Sequence, residues 1–180
     1  MAFLRDYRAA RRDEAELGLG VWRRAHDRFR RGLDRFHQIL ESLPDKTLAQ
    51  SVVPTANALA DLLPEVRAVC AAAQRTAPST SHDIPASPGG YLNDVHRELS
   101  RAGNAMAQAA EALTMARFVR ADEESSAHRL DAVVRRAEAV REHVERAEEE
   151  SSAHRLDAVV RRAEAVREHV QRAGELLDRG

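Results

Sequence analysis

Histidine side chains are the first candidates for chemistry in this sequence, because eight of them occur in 180 residues. Histidine and carboxylate ligands one helical turn apart can share a metal ion. Two such pairs occur, Glu124 with His128 and Glu150 with His154. His143 faces nearly the same side of a helix as His154, but about 16 Å separates them along the axis, too far for one ion. Each pair offers only two exposed ligands, so we expect solvated helix surface here and no bound metal.

The remaining reactive groups favour structural roles. A carboxylate-bridged metal site in a helical bundle needs Glu-x-x-His on two helices, and the nearest approach is Asp34 with His37. Cys70 lies on the apolar side of a predicted helix, where a thiol behaves as a small hydrophobic group. Gly89 and Gly90 indicate the start of a helix, and the sequence lacks a phosphate-binding loop, a nucleophile elbow and a paired-acid motif. We therefore expect neither enzymatic activity nor a cofactor.

The charge balance argues against nucleic acid as a partner. The chain carries 28 basic and 29 acidic residues, a formal net charge of −1, and so exerts no overall attraction on an anionic polymer or membrane. The first 35 residues hold ten arginines, but six acidic residues interleave with them, which favours a salt-bridged, solvated face. Segment 2–17 is amphipathic through Phe3, Leu4 and Tyr7. It is the basis of an alternative function, a regulator that binds the membrane surface.

The expected location is the cytoplasm. No apolar run approaches the roughly 18 residues of a membrane span, and the chain start lacks the basic region and apolar centre of a secretory signal. A single cysteine cannot close an internal disulfide, which fits a reducing compartment. Lys46 is the one lysine among the basic residues, an arginine bias that indicates a GC-rich, bacterial genome.

Hydrophobic periodicity predicts an all-α protein built from long helices. Aromatic residues make up 4% of the chain and charged residues 32%, a composition typical of long helices and coiled coils. Between residues 19 and 43, apolar residues recur at steps of three and four, which predicts one helix with one apolar face. His26 takes one turn of this face, where we expect a structural histidine. The bulky residues of the face form a predicted core seam: Trp22, Phe29, Leu33, Phe36 and Leu40.

Proline and glycine divide the chain after this first helix. Pro44 ends it, and a wide apolar stripe from Val52 to Ala73 predicts a second helix that packs on two sides. Residues 76–90 are rich in Pro, Ser, Thr and Gly and have no helical period, which predicts an exposed linker. Such a linker can reach about 45 to 50 Å, so the direction of the third helix stays open.

The third predicted helix is the longest. From Leu92 to Val144 one heptad phase continues, with a polar interruption near Asp122. A turn would keep that phase only by accident, so we expect one continuous helix and an antiparallel bundle of three long helices over residues 1–147. A turn near Asp122 is the alternative, and it gives four or five shorter helices.

The sharpest sequence feature is a repeat. Residues 123–144 and 149–170 both read EESSAHRLDAVVRRAEAVREHV, at an offset of 26 residues. That offset rotates a helix face by about 80°, so the second copy cannot lengthen the same seam along a straight helix. Since no Gly or Pro occurs at 148–152, we expect residues 148–180 to be a helical extension and not a fold-back. Perfect identity indicates a recent or engineered duplication.

The extension suggests what the protein does. Apolar stripes on a projecting helix have to be covered by something. We therefore expect a non-enzymatic helical interaction protein, which self-associates as a homo-oligomer or acts as an adaptor for a protein partner. The residues predicted to make the contact are Leu156, Val160, Ala163 and Val170.

Overall fold

Every element of the described chain is helical. A computed structural model describes the backbone of residues 11–116 and 123–177, with side chains at 11–116, 127–154 and 160. No strand occurs in these ranges. A 3-10 turn at Pro88–Gly90 precedes the fourth helix. The helices are α1 (residues 11–17), α2 (Val21–Glu41), α3 (Lys46–Thr76), α4 (Tyr91–Ala116) and α5 (Glu123–Leu177).

The four longer helices form a bundle. Helix α2 contacts α3 and α4, and α5 contacts the same two helices. The order around the bundle is therefore α2, α3, α5, α4, with α5 diagonally opposite α2. Helix α5 lies in the groove between α3 and α4, and this groove is called the α3–α4 groove below.

Contacts between the helices give their directions. Trp22 Nε1, at the start of α2, donates to the carbonyl of Ala77, just beyond the end of α3, so these two helices are antiparallel. Trp22 also makes an edge-on ring contact with His96 near the start of α4, so α2 and α4 are parallel. Helices α4 and α5 are antiparallel, because the start of α5 lies beside Ala116 and its later turns lie beside Tyr91.

The helix ends follow from local chemistry. The Asp45 side chain accepts hydrogen bonds from the backbone N–H groups of Thr47 and Leu48, both at 3.0 Å, which caps the start of α3. Between α1 and α2 the chain reverses at Gly18, whose φ is 66°. Only glycine adopts this conformation readily.

The segment between α3 and α4 is less exposed than its composition predicts. The Ser79 hydroxyl is buried against the first turn of α2 and accepts a hydrogen bond from the N–H of Val21. Ile84 packs against the core from the same segment. Residues 76–90 thus cover the end of the bundle where α3 finishes and α4 begins, and the expectation of a fully exposed linker is corrected at these positions.

Helix α2 places its bulky residues in the interior of the bundle. Among the predicted core seam, Trp22, Phe29, Leu33 and Phe36 are buried, and Leu40 is half-buried against the core. His26 is also buried on this face. Leu19, by contrast, precedes the helix and is 59% exposed.

The prediction of one continuous helix from Leu92 to Val144 is wrong. Helix α4 ends at Ala116, α5 begins at Glu123 and the two lie antiparallel in contact; residues 117–122 lie outside the described part. The alternative of shorter helices describes the chain better. A heptad phase carried across a chain reversal has no geometric meaning, because the helix after the turn can rotate freely about its own axis to face the core.

The two copies of the repeat lie in one continuous helix. Helix α5 runs for 55 residues from Glu123 to Leu177, through the junction at 148–152 without a break. Its first half lies in the α3–α4 groove, and 23 residues follow His154, a length of about 35 Å.

Replacing Phe36 with alanine tests the core. Its ring is fully buried, so we expect Phe36→Ala to lower the free energy of unfolding by about 3–5 kcal/mol. Leu19→Ala is the control, because this side chain is mostly exposed, and its effect should stay within about 0.5 kcal/mol. Urea denaturation followed by circular dichroism measures both. Equal losses in the two variants would contradict the core assignment.

Candidate interaction surface

Helix α5 packs into the α3–α4 groove through one apolar face. Steps of three and four residues separate its members, as in a heptad. Leu130 and Ala137 are half-buried against the core and the others are buried. We call this the bundle face of α5, and it consists of Leu130, Val133, Ala137, Val140, Val144, Ala147 and Ser151.

A buried arginine fixes one end of the bundle face. Arg129 Nη1 donates to the backbone carbonyl of Ala116 at 2.8 Å. Ala116 is the last described residue of α4, so Arg129 ties an early turn of α5 to this part of α4. This bond sets where α5 starts relative to α4.

A buried carboxylate fixes the middle of the face. Glu98 on α4 has a side chain only 7% exposed, and its Oε2 lies 2.8 Å from Nδ1 of His143 on α5. Arg101 donates to the other oxygen at 2.7 Å. Burial alone raises the pKa of Glu98, but the hydrogen bond with His143 and the charge of Arg101 outweigh it and hold this pKa below its usual value. Glu98 is therefore an anion that depends on a partner from α5.

Glu98→Gln tests the electrostatic part of this contact. Because the pKa of Glu98 is lower in the folded chain, its stabilising contribution is present above its ordinary value of 4.5. That contribution is lost as the pH falls through the folded-state pKa. We expect wild type to resist urea better than Glu98→Gln at pH 7, with a difference that shrinks below about pH 4.5.

Glu142→Gln is the matched control, because its carboxylate pairs with Arg146 on the exposed side of α5. Its difference from wild type should be small at neutral pH. A Glu98→Gln difference that stays constant with pH would show that shape, and not charge, stabilises this position.

The second copy repeats the whole bundle face in its sequence. Adding 26 to each member gives Leu156, Val159, Ala163, Val166, Val170, Ala173 and Leu177. The polar contacts recur as well, with Arg155 in the place of Arg129 and His169 in the place of His143. We call this set the second-copy face. Of its seven apolar residues, six are identical to their counterparts, and Leu177 replaces Ser151.

The sequence-predicted interaction residues overlap this face only in part. Leu156, Ala163 and Val170 belong to it, but their side chains lie outside the described ones. Val160 is described and is 46% exposed; its counterpart Val134 flanks the bundle face and is half-buried. The sequence prediction does not include Val159 and Val166, which also belong to the second-copy face. Their counterparts Val133 and Val140 are buried. The sequence indicates this only when the heptad of α5 is assigned independently of the heptad of α4.

The bundle ends near the start of the second copy. The ring of His154 stacks on that of Tyr91, in the first turn of α4, with centroids 3.5 Å apart and planes 12° apart. The identical residue in the first copy, His128, is exposed. His154 and His128 therefore have different surroundings, although the sequence around them is the same.

The described part of the N-terminal amphipathic segment packs on the bundle. Leu17 is fully buried. Asp13 and Glu16 both pair with Arg67 on α3, at 2.5 and 2.8 Å. Phe3, Leu4 and Tyr7, on which the membrane alternative depends, lie outside the described residues.

The one cysteine of the chain lies on α3. Cys70 is completely buried, and burial raises the pKa of its thiol to about 12. Burial also lowers the pKa of the neighbouring His26, and the hydrogen bond with Asp27 offsets this only in part. A neutral histidine beside a protonated thiol gives no nucleophile.

Cys70 should not react in the folded chain. We expect no modification by a thiol reagent such as DTNB at pH 8 in buffer, and complete modification in concentrated urea, because only the thiolate attacks the reagent. Absorbance of the released thiolate measures both. Fast modification of the native protein would contradict the buried placement of this residue.

The described surface has open clefts. A cleft of about 550 Å³ between α3 and α5 is lined by apolar residues with Glu138, Arg141 and Glu142. Across the described residues, no group of three or more His, Cys, Asp or Glu side chains is arranged to hold a metal ion. None of the described helices is long and apolar enough to cross a membrane.

Comparison with known proteins gives no relative. No family model, curated protein or solved structure matches this chain. The function is therefore inferred from the helices themselves.

Proposed function

We propose that this protein is a non-enzymatic helical interaction module that associates through the second copy of its repeat. The observation that supports this is the bundle face of α5. The same residues that bury themselves in the α3–α4 groove occur a second time, 26 residues further along the same helix.

The apolar content of the second-copy face is substantial. Full burial of a Val or Leu side chain contributes about 1.5–3 kcal/mol, and the face holds five such residues besides two alanines. A helix that lays an apolar face into a groove is a common mode of protein recognition. The proposed partner is a protein, with self-association favoured over an adaptor role because this chain itself carries a groove that fits the face.

Matched substitutions in the two copies test this function. Leu156→Ala with Val170→Ala removes apolar groups from the second-copy face, and Leu130→Ala with Val144→Ala removes the identical groups from the bundle face. We expect the second-copy variant to reduce the molar mass measured by light scattering and to keep the unfolding midpoint of the dissociated chain. We expect the bundle-face variant to lower the free energy of unfolding by roughly 2–5 kcal/mol.

The matched design removes differences of residue type, helix propensity and charge. If both variants keep the molar mass of wild type, the second copy is not the association surface. A wild-type chain that is a monomer at all concentrations would contradict self-association itself.

A further inference from the structure

The second-copy face has the same spacing as the bundle face. The two copies are offset by 26 residues, about 39 Å along a helix. A displacement of α5 by that length places Leu156 where Leu130 packs, and each later member of the second-copy face where its counterpart packs. Helix α5 reaches Leu177, the counterpart of Ser151, which is the last member of the bundle face.

The contacts that hold the first copy can also be made by the second. Arg155 can donate to the carbonyl of Ala116 as Arg129 does, and His169 can pair with the buried carboxylate of Glu98. The side chains that the groove would contact are the same in residues 123–144 and 149–170, so either segment can bind there.

We propose that two chains exchange helices, so that the second copy of each chain occupies the α3–α4 groove of the other. This inference rests on the proposed function. It identifies the partner as another molecule of the same chain. It replaces the groove contacts of Leu130, Val133, Ala137, Val140, Val144 and Ala147 by those of identical residues and puts Leu177 in the place of Ser151. The second-copy face becomes buried, and the first copy leaves the groove of its own chain.

The connection between α4 and α5 favours another chain over the same chain. Arg129 touches Ala116, so the first copy enters the groove directly after residues 117–122. If the second copy of the same chain took that place, residues 123–148 would have to fold back within the connection. The fold-back would break α5 and lose its backbone hydrogen bonds, whereas exchange with a partner leaves the helix continuous.

The exchanged assembly closes on itself. Helix α5 would leave each bundle at the end where α4 finishes and enter the partner at the same end. The two bundles therefore face each other across a gap of about 39 Å, the length of one copy. Two antiparallel first copies span this gap, related by a two-fold axis. No open-ended polymer is needed.

A cross-link between Glu98 and His169 tests the exchange. We would introduce Glu98→Cys and His169→Cys in the full chain and treat it with a short bis-maleimide. Exchange predicts a cross-linked dimer on a denaturing gel. Glu98→Cys with His143→Cys is the control, because these residues touch within one chain in the structure. This control should give a cross-linked monomer at low protein concentration. Such a product would show that the reagent can bridge a cysteine at position 98 and one on α5.

Each outcome decides the inference. Association of the chain without a link between residues 98 and 169 overturns the exchange and leaves the proposed function standing. A 98–169 link within a monomer also overturns it, in favour of a change within one chain. A chain that never associates contradicts both proposals.

Single valine substitutions give a second readout. Val140→Ala weakens the first copy in its own groove and should lower the dimer dissociation constant roughly 100-fold, because each dimer carries the substitution twice. The matched Val166→Ala should raise it by a similar factor. Direct pairing of two projecting helices predicts no effect of Val140→Ala on the dimer, and that result would overturn the exchange.

Discussion

The fold depends on the packing of the bundle face of α5 into the α3–α4 groove. Helices α2, α3 and α4 alone leave this groove open. Its walls include Leu59 and Leu62 of α3 and Ala116 of α4, which are buried and border the clefts along α5. Helix α5 closes the groove with Val133, Val140 and Val144, all fully or almost fully buried. Burial of each valine contributes about 1.5–3 kcal/mol to the free energy of unfolding. Helix α5 therefore accounts for a large part of the net stability of the fold.

Polar contacts then decide where along the groove the helix sits. A heptad of small apolar residues tolerates a slip of seven positions, because the face stays apolar. The buried carboxylate of Glu98 does not tolerate it, since loss of His143 leaves a desolvated anion with weaker compensation. Arg129 at the end of α4 adds a second fixed point. Only a segment with an arginine and a histidine at the same spacing can replace the first copy, and the second copy is such a segment.

Periodicity could predict the helices but not their mutual arrangement. The core seam of α2 follows from Trp22, Phe29 and Phe36, because an unbroken helix keeps one face toward the core. The chain reversal after Ala116 could not be found in this way, since residues 117–122 carry no Gly or Pro. The heptad phase that runs from Leu92 to Val144 falls on Arg141, which is exposed, and leaves out Val140, which is buried.

The buried ion pair was beyond sequence reasoning for a different reason. Glu98 and His143 lie 45 residues apart in the chain, and their contact exists only because α4 and α5 are antiparallel neighbours. The sequence-predicted interaction residues share this limit, because the face of α5 that packs is defined by its neighbours. Val159 belongs to the second-copy face because its counterpart Val133 is buried, and periodicity alone does not single it out.

Residues 123–144 and 149–170 have one sequence, so chain connectivity has to decide which copy enters the groove. Helix propensity and apolar content are the same in residues 123–144 and 149–170, so neither can select the copy that enters the groove. The first copy is tied to the end of α4 by a short connection, which gives it an effective concentration in the millimolar range. The second copy of another chain has to compete with that value. Occupancy of the groove by a partner should therefore rise with protein concentration, and weakening the tethered copy favours the partner without any new contact.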